Sequence, residues 1–561
     1  MATWADIQSW ELSYVEEAED LIEAEVREAR EIIADLEHTA NDIRSQGEAP
    51  DRMRERLTEI QDRLDARLNE LIEYALATAE LHGYVSRVVA KRKSAWEVAA
   101  EVGYDIPESG LIEPDALDKR FEPVPRKFDE LRDCIDDAVR IATEAEETVG
   151  PRYQALADGQ YVLAEGRHSE SAGLANDANP TWTPEEVSVW WALLSESERE
   201  ALINKDPEKY GNLNGIDMAS RAKANDLVLN GRIDAAGNRI PGTGLIEKTQ
   251  NELDELNQEI DRAGENGQEV SADLLDKQEY LQIRLADLEA IRDQVQGNAG
   301  ATLLVLEPGN LGDNVRAAIA IGDVDNAQHV ATLVPGMGTN CRENGWLNVE
   351  FAKNLKWAAE NFGGAEAGSV ATIAWMGYDA PPDITKTLDP SVMSIDKAEA
   401  GAEKLNGFVT GIHSWRSERG LDVHQSIIPH SYGSTTAGIA MRDIGKGVVD
   451  DLVYTGSPGA GVSSVGTLGV DPEHTWVSAT PHLDAVQGMG PDETFGRDPK
   501  ELEGIGHLSG DTSGGEGYKT GPFHWPNANH SSYFHKPETA DKHNYALEDI
   551  GKVITGTKER Q

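Results

Sequence analysis

The chain is short of cysteine, of positive charge and of long apolar runs. Only Cys134 and Cys341 occur in 561 residues, which excludes a disulfide framework and a cysteine-built zinc site. The fold therefore has to stand on packing. Lys and Arg number 51 against 100 Asp and Glu, a formal charge of −49. Phosphate backbones and anionic membrane surfaces are held by clustered Lys and Arg, so neither nucleic acid nor such a membrane is expected as the main partner. No stretch approaches the roughly 20 apolar residues of a transmembrane segment. The start, MATWADIQSWELSYVEEAED, carries acid where a signal peptide has a basic segment and then an apolar run. The expectation is a soluble chain, cytoplasmic or exported by a route other than the general signal peptide. The C-terminal histidines lack H-E-x-x-H spacing and no acidic loop has the EF-hand rhythm, so no metal or other cofactor is expected. The acidity itself has two readings, solvated helix faces or adaptation to salty surroundings.

A length of 561 residues corresponds to about three domains at roughly 150 residues each. Residues 1–155 read as an all-α bundle or hairpin. Leu57, Ile60, Leu64, Leu68, Leu71 and Ile72 recur at three- and four-residue steps, the stripe of an amphipathic helix. An earlier helix carries Ile7, Trp10, Val15, Leu21, Ile22, Ile32, Ile33 and Leu36, and the turn between them falls in HTANDIRSQGEAPDR. A third helix is expected from Pro125 to about Thr148. In the segment 180–243, Thr183 is placed as an N-cap with Pro184 first in the helix and Glu186 three after the cap; Trp190 and Trp191 read as core anchors. Residues 244–297 read as an antiparallel coiled-coil hairpin projecting from a globular body, from Ile246, Leu253, Leu256 and Ile260 on one side of GENGQ and Leu274, Leu281, Leu288 and Val295 on the other.

From residue 300 to 561 strands and helices alternate. The apolar runs TLLVLEP, RAAIAIGD, HVATLVPG, SVATIAWMGY, HQSIIPHS, DLVYTGSPG and HTWVSATP have the continuous character of strands buried on both faces. An α/β sheet covered by helices follows, with ligands gathering at the strands' C-terminal ends. The fifth run turns within a few residues into a small-residue helix start, Ser426-Ile427-Ile428-Pro429-His430-Ser431-Tyr432-Gly433-Ser434. A nucleophile elbow has this form: the sharp turn exposes the Ser431 hydroxyl, and Gly433 lets helix and strand approach. The G-x-S-x-G pattern has glycine where this chain has Pro429, so a missing ladder bond is expected there. The loop VPGMGTN after the third run offers Gly336 and Met337, with the Tyr432 NH, as an oxyanion hole. Asp484 follows a late strand and His530 lies near the C-terminus, giving the order Ser, Asp, His. GSPGAGV lacks the Gly-Lys-Ser/Thr ending of a P-loop and reads as a structural turn.

Taken together, HSYGS, LVPGMGT, YTGSPGAGV, PHLDAV and His530-Ser531-Ser532-Tyr533 resemble the bacterial α/β-hydrolase family of unknown function whose elbow reads GHSYGS. The helical block WWALLSESEREALINKDPEKYGNLNGI resembles the segment preceding the hydrolase domain there. The resemblance runs from about residue 180 to 545, interrupted by the hairpin. It implies an α/β-hydrolase fold, a mostly parallel sheet with helices on both faces, preceded by the helical bundle. It also implies a serine triad with no cofactor and supplies no substrate. On that resemblance and on residue order, Ser431 is the nucleophile, His530 the base and then acid, and Asp484 the carboxylate that orients it. His507, His524 and His535 compete for the base role, Asp450 and Asp451 for the acid, and Asp484 has the alternative of capping a helix. Gly488 to Asn529 is long for a plain connection and reads as a candidate lid.

Two functions compete. One is a serine hydrolase acting on a small-molecule or lipid ester, thioester or amide through an acyl-enzyme. The other is an exported or envelope- or virion-associated interaction protein, with a protein partner on the helical regions and an inactive or secondary hydrolase fold. The N-terminal bundle is similar to the helical hairpins that precede cargo in type VII secretion. Trp4-Ala5-Asp6 departs from their W-x-G, while Tyr104 to Glu108 fits the Y-x-x-x-D/E export pattern.

Overall fold

Strand residues that alternate between two apolar faces force helices onto both sides of a sheet. In the computed structural model, Val330, Val334, Ala371, Ile373, Ile427, Leu452 and Tyr454 face one core, and their neighbours Ala331, Leu333, Val370, Ile428 and Val453 face another. The structure describes residues 2–42, 47–111, 125–158, 177–267, 269–383, 391, 394–520, 524 and 526–560. By internal contacts the chain divides into two units, residues 1–195 and 196–561.

Among its described residues the first unit is all helix apart from its connections. A 3-10 turn at Asp6–Ser9 precedes α1 (Leu12–Asp42), α2 (Glu48–Glu101), α3 (Pro125–Ala157) and α4 (Pro184–Leu193). The turn between α1 and α2 lies partly outside the described residues. On α1 the buried positions are Val15, Val26 and Ala29, while Leu21 and Ile32 stand exposed; on α2, Leu57, Leu68, Leu71 and Ile72 are buried and Ile60 is exposed. The apolar stripes therefore overstate the buried faces. Between α1 and α2, His82 Nδ1 meets Glu19 Oε2 at 2.7 Å. Thr183 and Glu186 form the expected capping box at the start of α4, with Trp190 and Trp191 fully buried. This helix packs against α2 within the first unit. Tyr104 stacks edge-on against Phe128, which places the Tyr104 to Glu108 stretch against the bundle core.

The second unit is built on one eight-stranded sheet: β1 (Ala301–Glu307), β2 (Arg316–Ile321), β3 (His329–Val334), β4 (Val370–Met376), β5 (His424–Pro429), β6 (Asp451–Thr455), β7 (Thr475–Ser478) and β8 (Gly506–His507). The order is β1-β2-β4-β3-β5-β6-β7-β8. Only β2 runs against the others, pairing antiparallel with β1 and β4. The seven apolar runs are β1 to β7. The eighth strand comes from within the span read as a lid, and residues 488–497 of that span are tied by main-chain bonds to the loop after β6, Gly488 to Ser457, Gly490 to Pro458 and Arg497 to Val462.

Short helices α5 (Glu196–Lys205) and α6 (Pro207–Tyr210) and helix α7 (Met218–Asn230) precede the hairpin of α8 (Leu245–Glu265) and α9 (Ala272–Gly297). After β3 comes α10 (Cys341–Phe362), after β4 α11 (Asp396–Glu418), after β5 α12 (Gly433–Arg442); α13 (Asp492–Phe495) and α14 (Tyr545–Ile554) complete the set. Helices α10 and α14 cover one face, α11 and α12 the other. The hairpin seam is Leu253, Leu256 and Leu281. Leu288 and Ile291 of α9 instead pack with Leu303, Ile319, Cys341 and Val349 of the sheet and α10, so the lower half of the hairpin is part of the body.

Candidate active site

The end of β5 shows how the sequence builds a strained corner. His430 NH donates to Val334 O of β3 (2.9 Å) and Ser431 NH to Thr455 O of β6 (3.1 Å). Alternation along the strand turns the nitrogen of Pro429 toward β6. The regular β5–β6 pairing ends at Ile427–Leu452 and returns only as a bridge between His430 and Thr455, as a proline in a central strand requires. The Thr455 hydroxyl donates to Pro429 O (2.8 Å) across this gap. Beyond the strand, Ser431 has φ 57°, the left-handed region that costs a residue with a Cβ about 1 kcal/mol or more. Tyr432 then opens α12, and a Cβ on Gly433 would overlap Val334 O. Helix and strand approach only because that position is glycine.

Among the described residues one other non-glycine has positive φ: Leu483, at 55°, immediately before Asp484. The loop after β7 is stitched to the loop carrying His530. Asn529 NH donates to Leu483 O (3.0 Å), Asn529 Nδ2 to His482 O (3.2 Å) and Lys519 O (2.9 Å), and Ala485 NH to Asn527 Oδ1 (2.9 Å). The result is a bond of 2.8 Å between His530 Nδ1 and Asp484 Oδ1, with the Asp484 side chain fully buried. Asp484 Oδ2 accepts from the Tyr533 hydroxyl (2.7 Å) and from Gln487 Nε2 (3.0 Å). Burial pushes the Asp484 carboxyl up, but its bonds to His530, Tyr533 and Gln487 outweigh that and hold it below the ordinary carboxylate value. Burial and then the adjacent Asp484 charge push the Tyr533 phenol well above its usual range, so it is a donor.

His530 Nε2, the other ring nitrogen, is buried and has no hydrogen-bond partner among the described residues. The Ser431 hydroxyl makes no hydrogen bond to a described residue either. Ser431 is joined to His530 through its neighbour His430, whose ring stacks on that of His530 at 4.4 Å between centroids and whose Nε2 donates to His530 O at 2.7 Å. Burial, with the neighbouring His530, pushes His430 well below the usual histidine range, so it stays a neutral spacer. Gly456, at the end of β6, faces the His–Asp pair: a Cβ there would sit 3.0 Å from His530 Cε1 and 3.1 Å from Asp484 Oδ2.

The loop between β3 and α10 lies against the same corner. A Cβ on Gly336 would be 2.6 Å from Ser431 Cβ and 2.9 Å from Tyr432 N. Tyr378 donates its hydroxyl to Pro335 O (2.7 Å), Gly338 NH donates to Pro381 O (2.7 Å), and Asn344 Nδ2 donates to Gly338 O (2.9 Å). Those bonds use the groups around Gly336 and Met337 and leave the amides of Met337 and Tyr432 without acceptors among the described residues.

The competing candidates lie elsewhere. Asp450 and Asp451 stand at the opposite end of the sheet, where Asp451 takes bonds from Trp476 Nε1 (2.8 Å) and His474 Nδ1 (3.1 Å). His507 is exposed on β8 and His524 is exposed; the ring of His535 packs against Phe351. Tyr533, Gln487 and His430 were not assigned roles from sequence. Tyr533 and His430 lie inside the quoted motifs, whereas Gln487 is visible only once the loops fold. Among the described residues no group of three or more His, Cys, Asp or Glu side chains gathers as a metal site, and no helix is long and apolar enough to cross a membrane.

A family model described as alpha/beta hydrolase matches residues 311–492, a span containing Gly336, Met337, Ser431, Tyr432 and Asp484 and ending before His530. The uncharacterized protein Rv2079 of Mycobacterium tuberculosis is 29% identical over 377 residues, covering 63% of this chain and 54% of that protein. The uncharacterized protein Mb0988c of Mycobacterium bovis is 32% identical over 236 residues, 41% of this chain and 84% of that protein. The chain thus spans about half the length of the first of these relatives. No solved structure matches it. With the sheet order described above, these matches establish that the chain belongs to the α/β-hydrolase family.

Proposed function

We propose that this chain is a serine hydrolase that cleaves a carboxylic ester or related acyl compound through a Ser431 acyl-enzyme. The observation that carries the reading is the polarity of His530. Its Nδ1 is engaged by a buried carboxylate while its Nε2 is buried and unpaired, the state of an imidazole ready to take a hydroxyl proton. In this reading His530 accepts the Ser431 proton as Oγ attacks the acyl carbon, Asp484 stabilises the imidazolium, and His530 then protonates the leaving oxygen. Water repeats the sequence to release the acid. The amides of Met337 and Tyr432 and the start of α12 hold the developing oxyanion. In this reading the Ser431–His530 bond tightens as the substrate binds, as catalytic hydrogen bonds commonly do. The HSYGS corner with Pro429 is read as a functional elbow, since the proline affects the β6 side of the strand and not the positions after Ser431.

The test is hydrolysis of short p-nitrophenyl esters by the full chain. The reading expects turnover that falls by at least about 10⁴-fold in Ser431→Ala and by about 10²- to 10⁴-fold in His530→Ala. Turnover unchanged in Ser431→Ala would remove it.

A further inference from the structure

The hairpin of α8 and α9 is tied to the catalytic edge of the sheet by one buried acid. Asp287, on α9, has a fully buried side chain. It accepts from the main-chain NH of Arg342 at 2.8 Å and from Arg342 Nη1 at 2.9 Å, with a longer contact of 3.5 Å from Val315 NH. Arg342 is the second residue of α10, whose N-cap is Asn340. The first amides of a helix have no partner within it and favour a negative charge, so Asp287 completes the start of α10 from another element. Immediately upstream is the loop holding Gly336 and Met337. Tyr378 and Pro381 fix that loop from the β4 side, and Asp287 fixes the helix into which it runs.

The topology places the hairpin on the side where Ser431 lies. β1 runs in the same sense as β3, β5 and β6, so Glu307 is at the same edge as Val334 and Pro429. The Tyr280 hydroxyl donates to Gly309 O just beyond that end (3.2 Å). Eight residues of α9 continue from Tyr280 back to Ala272, which at about 1.5 Å per residue carries the tip roughly 12 Å past the strand ends.

We propose that Asp287 is a positioning residue for the oxyanion loop, so that the hairpin sets how well the Met337 amide meets the charge of the transition state. The inference rests on the serine-hydrolase reading above. An amide that meets an oxyanion acts mainly after the ground state, so its displacement lowers kcat and leaves KM nearly unchanged. Asp287→Asn removes the charge and one acceptor. Arg342→Met removes the guanidinium but keeps the main-chain bond to Asp287. Leu288→Ala, one residue further along α9, opens a cavity beneath the hairpin without touching either bond.

The experiment measures kcat and KM for a p-nitrophenyl ester, together with melting temperature, on the full chain and these three variants. Asp287→Asn is expected to lower kcat about tenfold, short of the about 10²- to 10³-fold of a lost oxyanion donor, with KM within about twofold. Arg342→Met is expected to lower kcat less, by about threefold, and it carries the test if Asp287→Asn does not fold. Leu288→Ala is expected to lower the melting temperature while kcat stays within about twofold. An unchanged kcat in Asp287→Asn and Arg342→Met, a KM that rises in step, or an equal kcat loss in Leu288→Ala overturns the inference alone. An inert wild type overturns the hydrolase reading and this inference with it.

Discussion

Tyr533 and His530 hold the two oxygens of one carboxylate: the phenol donates to Asp484 Oδ2 at 2.7 Å while the imidazole Nδ1 meets Oδ1 at 2.8 Å. The two residues are three apart on one turn, Asn529 pins that turn to the acid's own loop, and Asp484 has little freedom left. Removing the phenol therefore tests the acid without removing it. Tyr533→Phe is expected to leave the enzyme folded and to lower kcat/KM by about 3- to 30-fold, the equivalent of a charge-assisted bond partly replaced by Gln487. The Asp484 carboxyl is held below its ordinary value. Losing a donor raises it, which weakens the hold on the carboxylate without removing its charge. An unchanged kcat/KM would contradict this role for Tyr533.

Gly336 gives a steric prediction. A methyl group there meets Ser431 Cβ and Tyr432 N inside contact distance, and neither neighbour can retreat because both sit in the tight corner between β5 and α12. Gly336→Ala should lower ester hydrolysis by about 10²-fold or more, with about 1–3 kcal/mol of destabilisation from overpacking. Near-normal kcat in this variant would show that the loop is not where the oxyanion is held.

Asp325 gives a prediction about stability. Its two oxygens accept from the NH groups of Met218 and Ala219 at the start of α7, both at 2.9 Å. Burial, opposed by those bonds and assisted by Asp217 and Asp323, pushes its carboxyl from 3.8 to about 6. A folded-state value above the unfolded one means the folded state holds the proton more tightly between those limits. Stability from this group is therefore greatest below pH 3.8 and is lost as pH rises toward 6, about 3 kcal/mol in all. Melting curves of wild type and Asp325→Asn from pH 4 to 7 should differ in slope, the variant lacking this downward component. Parallel curves would contradict it.

In the N-terminal unit, His82 sits against Glu19. Burial lowers its pKa, but the bond to Glu19 and the nearby Glu16 and Glu185 charges outweigh that and raise it above the ordinary 6.5. The contribution is complete below pH 6.5 and is lost as pH rises through the raised value. Hydrogen exchange along α1 and α2 should quicken over that interval in wild type and be less dependent on pH in His82→Gln. Equal dependence in both would exclude the pair as the cause.

Seven of the eight strands among the described residues were legible because they are continuous apolar runs, and the sharp strand-to-helix corner at Ser431 was legible because strand, corner and small-residue helix fall within a dozen residues. β8 was not, since Gly506 and His507 carry no periodicity and pair only because β7 offers an open edge. Leu288 has the same spacing as Leu281 but leaves the hairpin seam for the sheet, a choice made by what lies beneath α9 and not by the heptad. The exposed Leu21 and Ile32 show the converse: a stripe states which side chains can be buried together, and only the neighbouring helix decides how many are. Asp287 reads as one more acid on a charged helix, and its partner, Arg342, is 55 residues away. The capping box at Thr183 and Glu186 was readable in full, because everything it needs is local.

The central claim is that Ser431 is a nucleophile activated by His530. Its most direct test is treatment of the full chain with a fluorophosphonate probe, followed by mass spectrometry of the digested protein. The account predicts a single phosphonylated peptide with the adduct on Ser431, absent in Ser431→Ala and formed at least about 10²-fold more slowly in His530→Ala. An adduct on another residue, or equal labelling of the Ser431→Ala protein, would contradict it.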